Sequence, residues 1–280
     1  MRHLFDLPLE ILVNVTQFLS TKDILNLSLC SRRFYDLLFF VKFNDKVNFG
    51  NISKLPYFDS FTDVIYCVSD KPFPKSLQIL FWYCEDHLPS QLPDSLKSLY
   101  LGEYYNHPLL QLPDSLERLN LGIRYDHPLP QLPNSLKSLC LCWCYNHPLP
   151  QLPNSLQGLH LGQRYNHSLL QLPISLKILH LGFNYNHPLP QLPNWLESLH
   201  LSTYYNHPLP QLPNSLKRLY LGCNYNHPLP QLSNSLRCLY LGFYYNHPLP
   251  QLPNSLKHLK VRKKFPLPVL STNGIVEFFD

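Results

Sequence analysis

Tyr205–Asn224 reads YNHPLPQLPNSLKRLYLGCN, and the two halves of this stretch demand different backbones. HPLPQLP (207–213) places three prolines within seven residues. Each proline fixes φ and lacks an amide donor, so neither an α-helix nor a central strand can run through it. An extended, polyproline-like arc remains. SLKRLYLG (215–222) sets leucines as L-x-x-L-x-L at Leu216, Leu219 and Leu221. In a strand Leu219 and Leu221 point one way, Arg218 and Tyr220 the other. Gly222 then ends the strand. The unit is one arc and one short strand.

The unit recurs. YNHPLPQLPNSL is written verbatim from Tyr145, Tyr205 and Tyr245, and with a single change from Tyr125, Tyr185 and Tyr225. A histidine returns every twenty residues from His87 to His247. A fixed period of this length marks a solenoid, each unit one coil stacked on its neighbours. Strands stacked about 4.8 Å apart would form one curved parallel sheet, with leucines and arcs packed inside and the other face open to solvent. A lone coil buries too few leucines to offset the entropy of ordering it, so each depends on the next.

The ends differ in kind. Residues 1–45 show helical spacing: Pro8 suits a helix start, and Ile11, Leu12, Val15, Phe18 and Leu19 form an apolar stripe. Ser20, Thr21 and Asp23 start a second helix, and Ser31 caps a third. The fold class expected is α+β, a small three-helix head followed by the solenoid. Residues 46–85 read as degenerate capping coils, with SFTDVIY (60–66) and SLQILFW (76–82) matching the strand half. Residues 86–264 are the repeats. Residues 265–280 are expected to close the stack with Val269, Leu270, Ile275 and Phe278.

Because the repeated letters are scaffold, information should sit where coils differ. One outward strand column reads Tyr100, Asn120, Cys140, His160, His180, His200, Tyr220, Tyr240, Lys260. Its neighbour reads Ser98, Arg118, Ser138, Gly158, Ile178, Ser198, Arg218, Cys238, His258. Aromatics and arginine dominate interface hot spots. The target-binding candidates are therefore Tyr100, Arg118, Asn120, His160, His180, His200, Arg218, Tyr220 and Tyr240. The competing account is drift among solvent-facing strand residues that favour β-forming types. Adjacent His160, His180 and His200 could share a zinc ion, but copying of repeats also yields such ladders, and no metal site is assigned. Cys140, Cys142 and Cys144 form C-x-C-x-C rather than a zinc-knuckle pair and read as free thiols. Asn206, His207 and their counterparts recur in every coil, whereas catalysis needs one site. They are expected to bond turn backbone between coils.

Net charge is +5, and Glu197 is the one acid between His127 and Lys264. The resulting positive field suits an acidic partner. Its modest density favours an acidic protein surface over RNA or DNA. No secretory signal and no membrane-length apolar run is evident. Eight irregularly spaced cysteines fit the reducing cytoplasm or nucleus. With no phosphate-cradling glycine loop, nucleophile elbow or H-E-x-x-H, neither catalytic residues nor a cofactor are expected, and the chain is read as a non-enzyme.

Leu7-Pro8-x-Glu10-Ile11-Leu12, Phe18-Leu19, Asp23-Ile24, Leu27 and Leu29-Cys30-Ser31-Arg32-Arg33-Phe34 together resemble the F-box. The resemblance implies docking on the Skp adaptor of a cullin–RING ubiquitin ligase, through Leu7, Pro8, Glu10, Ile11, Leu12 and Leu27. The repeats, with Tyr-Asn-x-Pro-Leu, Leu-Pro-x-Ser-Leu and L-x-L-G, resemble the FNIP family, leucine-rich-repeat relatives found in social amoebae and giant DNA viruses. Tyrosine stands where that family has phenylalanine, and the unit is shorter. The combination implies a substrate-recognition subunit of a Skp–cullin–F-box ligase, holding a protein target on the solenoid. The alternatives are an interaction scaffold outside any ligase, and a basic solenoid that binds nucleic acid.

Overall fold

In a computed structural model the described residues are 19–20, 22–24, 41–43, 46–66, 72–263, 265 and 275–279. They form a single sheet of thirteen strands, arranged in sequence order and all parallel. Strands β1 (Val47–Asn48), β2 (Asp63–Tyr66) and β3 (Ile79–Trp82) precede the regular coils. The regular strands are β4 (Ser98–Leu101), β5 (Arg118–Asn120), β6 (Ser138–Cys140), β7 (Gly158–His160), β8 (Ile178–His180), β9 (Ser198–His200), β10 (Arg218–Tyr220), β11 (Cys238–Tyr240) and β12 (His258–Arg262). β13 (Ile275–Phe279) adds in register to β12, His258 facing Ile275. A four-residue helix α1 (Phe49–Ile52) and a 3-10 turn (Phe58–Ser60) lie before the repeats. No helix among the described residues is long and apolar enough to cross a membrane.

Of the three helices expected over residues 1–45, only a fragment is described. Residues 22–24 are helical. The Ser20 hydroxyl accepts from the Asp23 amide (3.2 Å) and donates to its carboxylate (2.6 Å), which is a helix-start arrangement. The remainder of that head lies outside the described residues. Strands β2 and β3 fall within the two stretches read as decayed coils. At the carboxyl end β13 stacks on β12, with its Ile275 and Phe278 61% and 51% exposed. Val269 and Leu270 lie outside the described residues.

Between coils the same bonds repeat. The strand leucines Leu99, Leu119, Leu139 and their successors are buried. The bulkiest recurring core side chain is tyrosine. Tyr105 through Tyr245 are buried in every coil, and successive rings stack with centroids 6.2–6.4 Å apart and nearly parallel planes. Burial pushes the hydroxyls of Tyr145 and Tyr205 up to about 12. The hydroxyl of Tyr125 lies 3.4 Å from the Leu109 amide, whereas those of Tyr165, Tyr185 and Tyr225 make no proper hydrogen bond. A serine ladder adds bonds from one coil to the preceding one, as in Ser115 to the Leu96 carbonyl (2.6 Å) and Ser215 to the Leu196 carbonyl (2.7 Å).

The Tyr-Asn-His segment laminates the coils at the strand-end edge. The Asn206 amide donates to Asn186 Oδ1 (3.1 Å), and His207 Nε2 donates to the Asn186 carbonyl (3.1 Å). The pair repeats from coil to coil, through Asn226 and His227 on Asn206 and back to Asp126 and His127 on Asn106. A carbonyl can only accept, so each of these histidines carries its proton on Nε2. These bonds are the backbone-bonding role expected for them.

The strand-end glycines are fixed by crowding. A β-carbon at Gly122, Gly162, Gly182, Gly222 or Gly242 would lie 1.6–2.0 Å from the backbone carbonyl oxygen of the preceding coil. None of the glycines has positive φ. Close approach of backbones, rather than a left-handed turn, is what demands glycine.

Candidate protein-interaction surface

Parallel pairing at a twenty-residue offset places equivalent side chains side by side. Tyr100 faces Asn120, Asn120 faces Cys140, and the series continues through His160, His180, His200, Tyr220 and Tyr240 to Lys260. All nine are half-buried, their flanks covered by the neighbouring rung and their edges open. The candidates read in this column thus form one continuous strip. The two arginine candidates stand in the adjacent column. Arg118 and Arg218 are both exposed, five rungs apart, roughly 24 Å at the usual strand spacing. They are not brought together. Arg218 Nε donates to Ser198 Oγ at 3.4 Å, which lays its guanidinium along the wall.

The strip is a pile of rings. His160 and His180 have centroids 4.3 Å apart, His180 and His200 3.8 Å, His200 and Tyr220 3.9 Å, and Tyr220 and Tyr240 4.6 Å. Lys260 Nζ sits 5.7 Å from the Tyr240 ring centre. Loss of water from their flanks lowers all three imidazoles, His180 and His200 to about 4, with the neighbouring imidazoles and Arg218 adding repulsion. The three histidines are therefore neutral at pH 7. They offer flat faces and single N–H donors in place of a cationic stripe. Among the described residues no group of three or more His, Cys, Asp or Glu is placed to hold a metal ion.

Two parts of this surface were not read from the sequence. At its first end Phe81 stacks on Tyr100 at 4.9 Å, with Lys46 Nζ 3.7 Å over the Phe81 ring. Along the strand-end edge, the two residues that follow the glycine position change in every coil. They expose Tyr104, Trp143, Phe183, Tyr204, Phe243 and Tyr244. Arg124 stacks over Tyr104 (4.6 Å) and Arg262 over Phe243 (5.5 Å). Phe183 meets Tyr204 edge-on at 5.1 Å. The signal was available: these are the most variable letters of the unit, next to a Tyr-Asn-His that changes only at Asp126 among Tyr105 to His247. Glu197 is paired with Lys217 at 2.9 Å, which holds its carboxyl below the usual range. The field of the carboxyl-terminal coils is thus left positive. A third set of departures lies on the arc side, where Leu170, Ile174 and Trp195 are 90%, 67% and 67% exposed around a groove of about 390 Å³.

An all-parallel stack of short strands, leucines inside and a ring-lined wall outside, defines a leucine-rich-repeat-like solenoid. The family comparison names it further. Residues 86–123, 105–142, 145–184, 185–224 and 225–264 match the FNIP repeat model, and the chain belongs to the FNIP repeat family. Residues 4–46 match the F-box domain. Among solved structures the chain is similar to CroV588, described as a novel circular leucine-rich-repeat protein. That likeness has a TM-score of 0.63 at 27% identity, covering 85% of this chain and 42% of that one. It is also similar to YopM, a leucine-rich effector protein from Yersinia pestis, with a TM-score of 0.54 at 32% identity, covering 70% of this chain and 57% of that one. The chain thus spans less than two thirds of either structure. No curated protein matches it. The adaptor-binding candidates Leu7, Pro8, Glu10, Ile11, Leu12 and Leu27 lie outside the described residues, within the F-box match.

Proposed function

We propose that this chain is the substrate-recognition subunit of a Skp–cullin–F-box ubiquitin ligase. F-box domains generally bind Skp-type adaptors, and an F-box joined to a repeat solenoid indicates an adaptor-binding, protein-interaction role. Both are typically non-catalytic modules. In this reading Leu7, Pro8, Glu10, Ile11, Leu12 and Leu27 dock on the adaptor, and the cullin–RING assembly follows through it. The strip from Tyr100 to Tyr240, with Arg118, Arg218 and the strand-end aromatics, holds a protein target. The observation that carries the reading is the coupling of an F-box match to a wall whose coil-specific residues all surface in register.

The chain itself would supply no chemistry. Its contribution is proximity, raising the effective concentration of target lysines near the ligase-bound ubiquitin. The positive coils favour a target with an acidic surface. The cysteine usage supports a reducing compartment, cytoplasm or nucleus, as the setting.

The test is affinity purification with the intact chain, with Leu7→Ala/Ile11→Ala, and with residues 1–45 removed. Both altered forms should lose the adaptor and cullin while keeping the target. Undiminished adaptor capture by the double variant would defeat the ligase reading. Joint loss of adaptor and target from the truncated form would defeat the division of labour.

A further inference from the structure

Cys142 and Ser202 both carry a β-carbon at the strand-end position of the repeats, and Cys142 alone does so with positive φ. Gly122 and Gly162 occupy that position in the coils flanking Cys142, and a β-carbon added to either meets a carbonyl oxygen at about 2 Å. Cys142 escapes by adopting φ 55°, the one positive φ of a non-glycine among the described residues. A left-handed residue with a β-carbon is strained and uncommon, and such outliers concentrate at sites with a task. The strained backbone brings Cys142 Sγ to 3.8 Å from Cys140 Sγ and 3.2 Å from Asn120 Oδ1. Both cysteines are reduced and half-buried, so small reagents can reach them. Cys144, the third of the run, stands in the turn beyond the strand, its amide bonded to the Ile123 carbonyl at 3.0 Å.

We propose that Cys140 and Cys142 form a reactive dithiol on the concave wall, a site that closes to a disulfide under a peroxide. Either sulfur can donate across the 3.8 Å contact, which lowers the Cys140 thiol and raises that of Cys142. Cys140, the lowered member of the pair, supplies the thiolate, which is the nucleophile. It attacks the peroxide oxygen, the O–O bond breaks, and hydroxide leaves to become water, giving a sulfenic acid at Cys140. The Cys142 sulfur then attacks the Cys140 sulfur, expelling hydroxide, which takes the Cys142 proton as a second water. Two thiols and one peroxide become one disulfide and two waters. A sulfur–sulfur bond is about 2.05 Å, so closure draws the sulfurs together and withdraws Cys142 from Asn120. The change falls in the middle of the strip, between Asn120 and His160. In a reducing compartment such a bond is transient, the usual character of disulfides there.

The test uses the full chain and two reagents. Phenylarsine oxide condenses with two neighbouring thiols, losing one water, and counts such pairs. Hydrogen peroxide followed by peptide mapping reports closure. Cys142→Gly restores the residue that Gly122 and Gly162 carry, so it folds as the neighbouring coils do. Cys144→Ser controls for the third thiol. The intact chain and C144S should bind one more equivalent of the arsenical than C142G. Both should form the Cys140–Cys142 bond, while C142G forms none at Cys140. Equal arsenical uptake by C142G and the intact chain would overturn the proposal. So would a Cys142–Cys144 bond, or no bond, after peroxide.

Discussion

Gly222→Ala and Gly158→Ala are the same chemical change in the same architecture, and the structure assigns them opposite outcomes. A β-carbon at Gly222 would lie 1.6 Å from the Ser202 carbonyl oxygen and 2.6 Å from its carbon. Both are backbone atoms, which no rotamer change can move aside. One at Gly158 meets only Ser138 Oγ at 3.7 Å, an ordinary contact. The position has two demonstrated escapes, the left-handed backbone of Cys142 and the adjustment made at Ser202, which carries a β-carbon there without positive φ. The left-handed backbone costs a β-carbon-bearing residue about 1–2 kcal/mol. Overpacking without that escape costs about 1–3 kcal/mol. The expected loss is therefore about 2 kcal/mol, enough to shift a local opening equilibrium by a factor of roughly 30. Gly158→Ala should be neutral or stabilising by up to about 1 kcal/mol, since glycine weakens a strand. Urea melting gives the global difference. Hydrogen exchange localises it, with faster exchange at Leu221, whose amide bonds the Tyr240 carbonyl, and at Asn224, bonded to the Thr203 carbonyl. If G222A melts within about 0.5 kcal/mol of the unaltered chain, or G158A is destabilised as much, the crowding argument fails.

Trp195→Ser removes a side chain that is 67% exposed and restores the serine whose hydroxyl, as at Ser215, bonds the preceding coil. It should raise stability by about 0.5–1.5 kcal/mol, read as an increased Tm. Tyr125→Phe should cost about 0.5–1 kcal/mol for its bond to the Leu109 amide, whereas Ser98→Ala, whose buried hydroxyl makes no hydrogen bond, should cost nothing measurable. Chemical denaturation of the two variants compares them directly. His180 and His200 have folded values near 4 against an ordinary 6.5, so the unfolded chain takes protons first on acidification. Their contribution is complete above pH 6.5 and is lost as pH falls toward 4. The double variant His180→Gln/His200→Gln should show a flatter melting profile across that window.

The sequence carried the strands well, because an apolar residue two places from another, bounded by prolines and glycine, has few other uses. Exact twenty-residue spacing made the register legible too, and with it the strip from Tyr100 to Lys260. The tyrosine ladder was not legible. Tyr225 stands three residues past Gly222 and before Asn-His, a context that reads as an exposed turn, and only the coil's path folds it under the arc. Gly222 pointed to a strand end but not to the reason, since the carbonyl it must admit belongs to a residue twenty positions earlier. The edge aromatics Trp143, Phe183 and Tyr244 escaped notice because attention went to strand positions, where alternation makes facing computable. Turns offer no such periodicity. The charge reading of Glu197 holds as arithmetic, since its pairing with Lys217 cancels one charge of each sign.

The Asn-His lamination has a consequence for how such a protein can change. Every joint uses the same donor and acceptor atoms, so the joint between Asn186 and Asn206 is interchangeable with that between Asn206 and Asn226. Excising residues 205–224 would present Asn226 and His227 to Asn186 in an equivalent fit. Length in this chain is therefore quantised. A genome that gains or drops one unit lengthens or shortens the grip by a single rung of side chains, and leaves every remaining seam as it was.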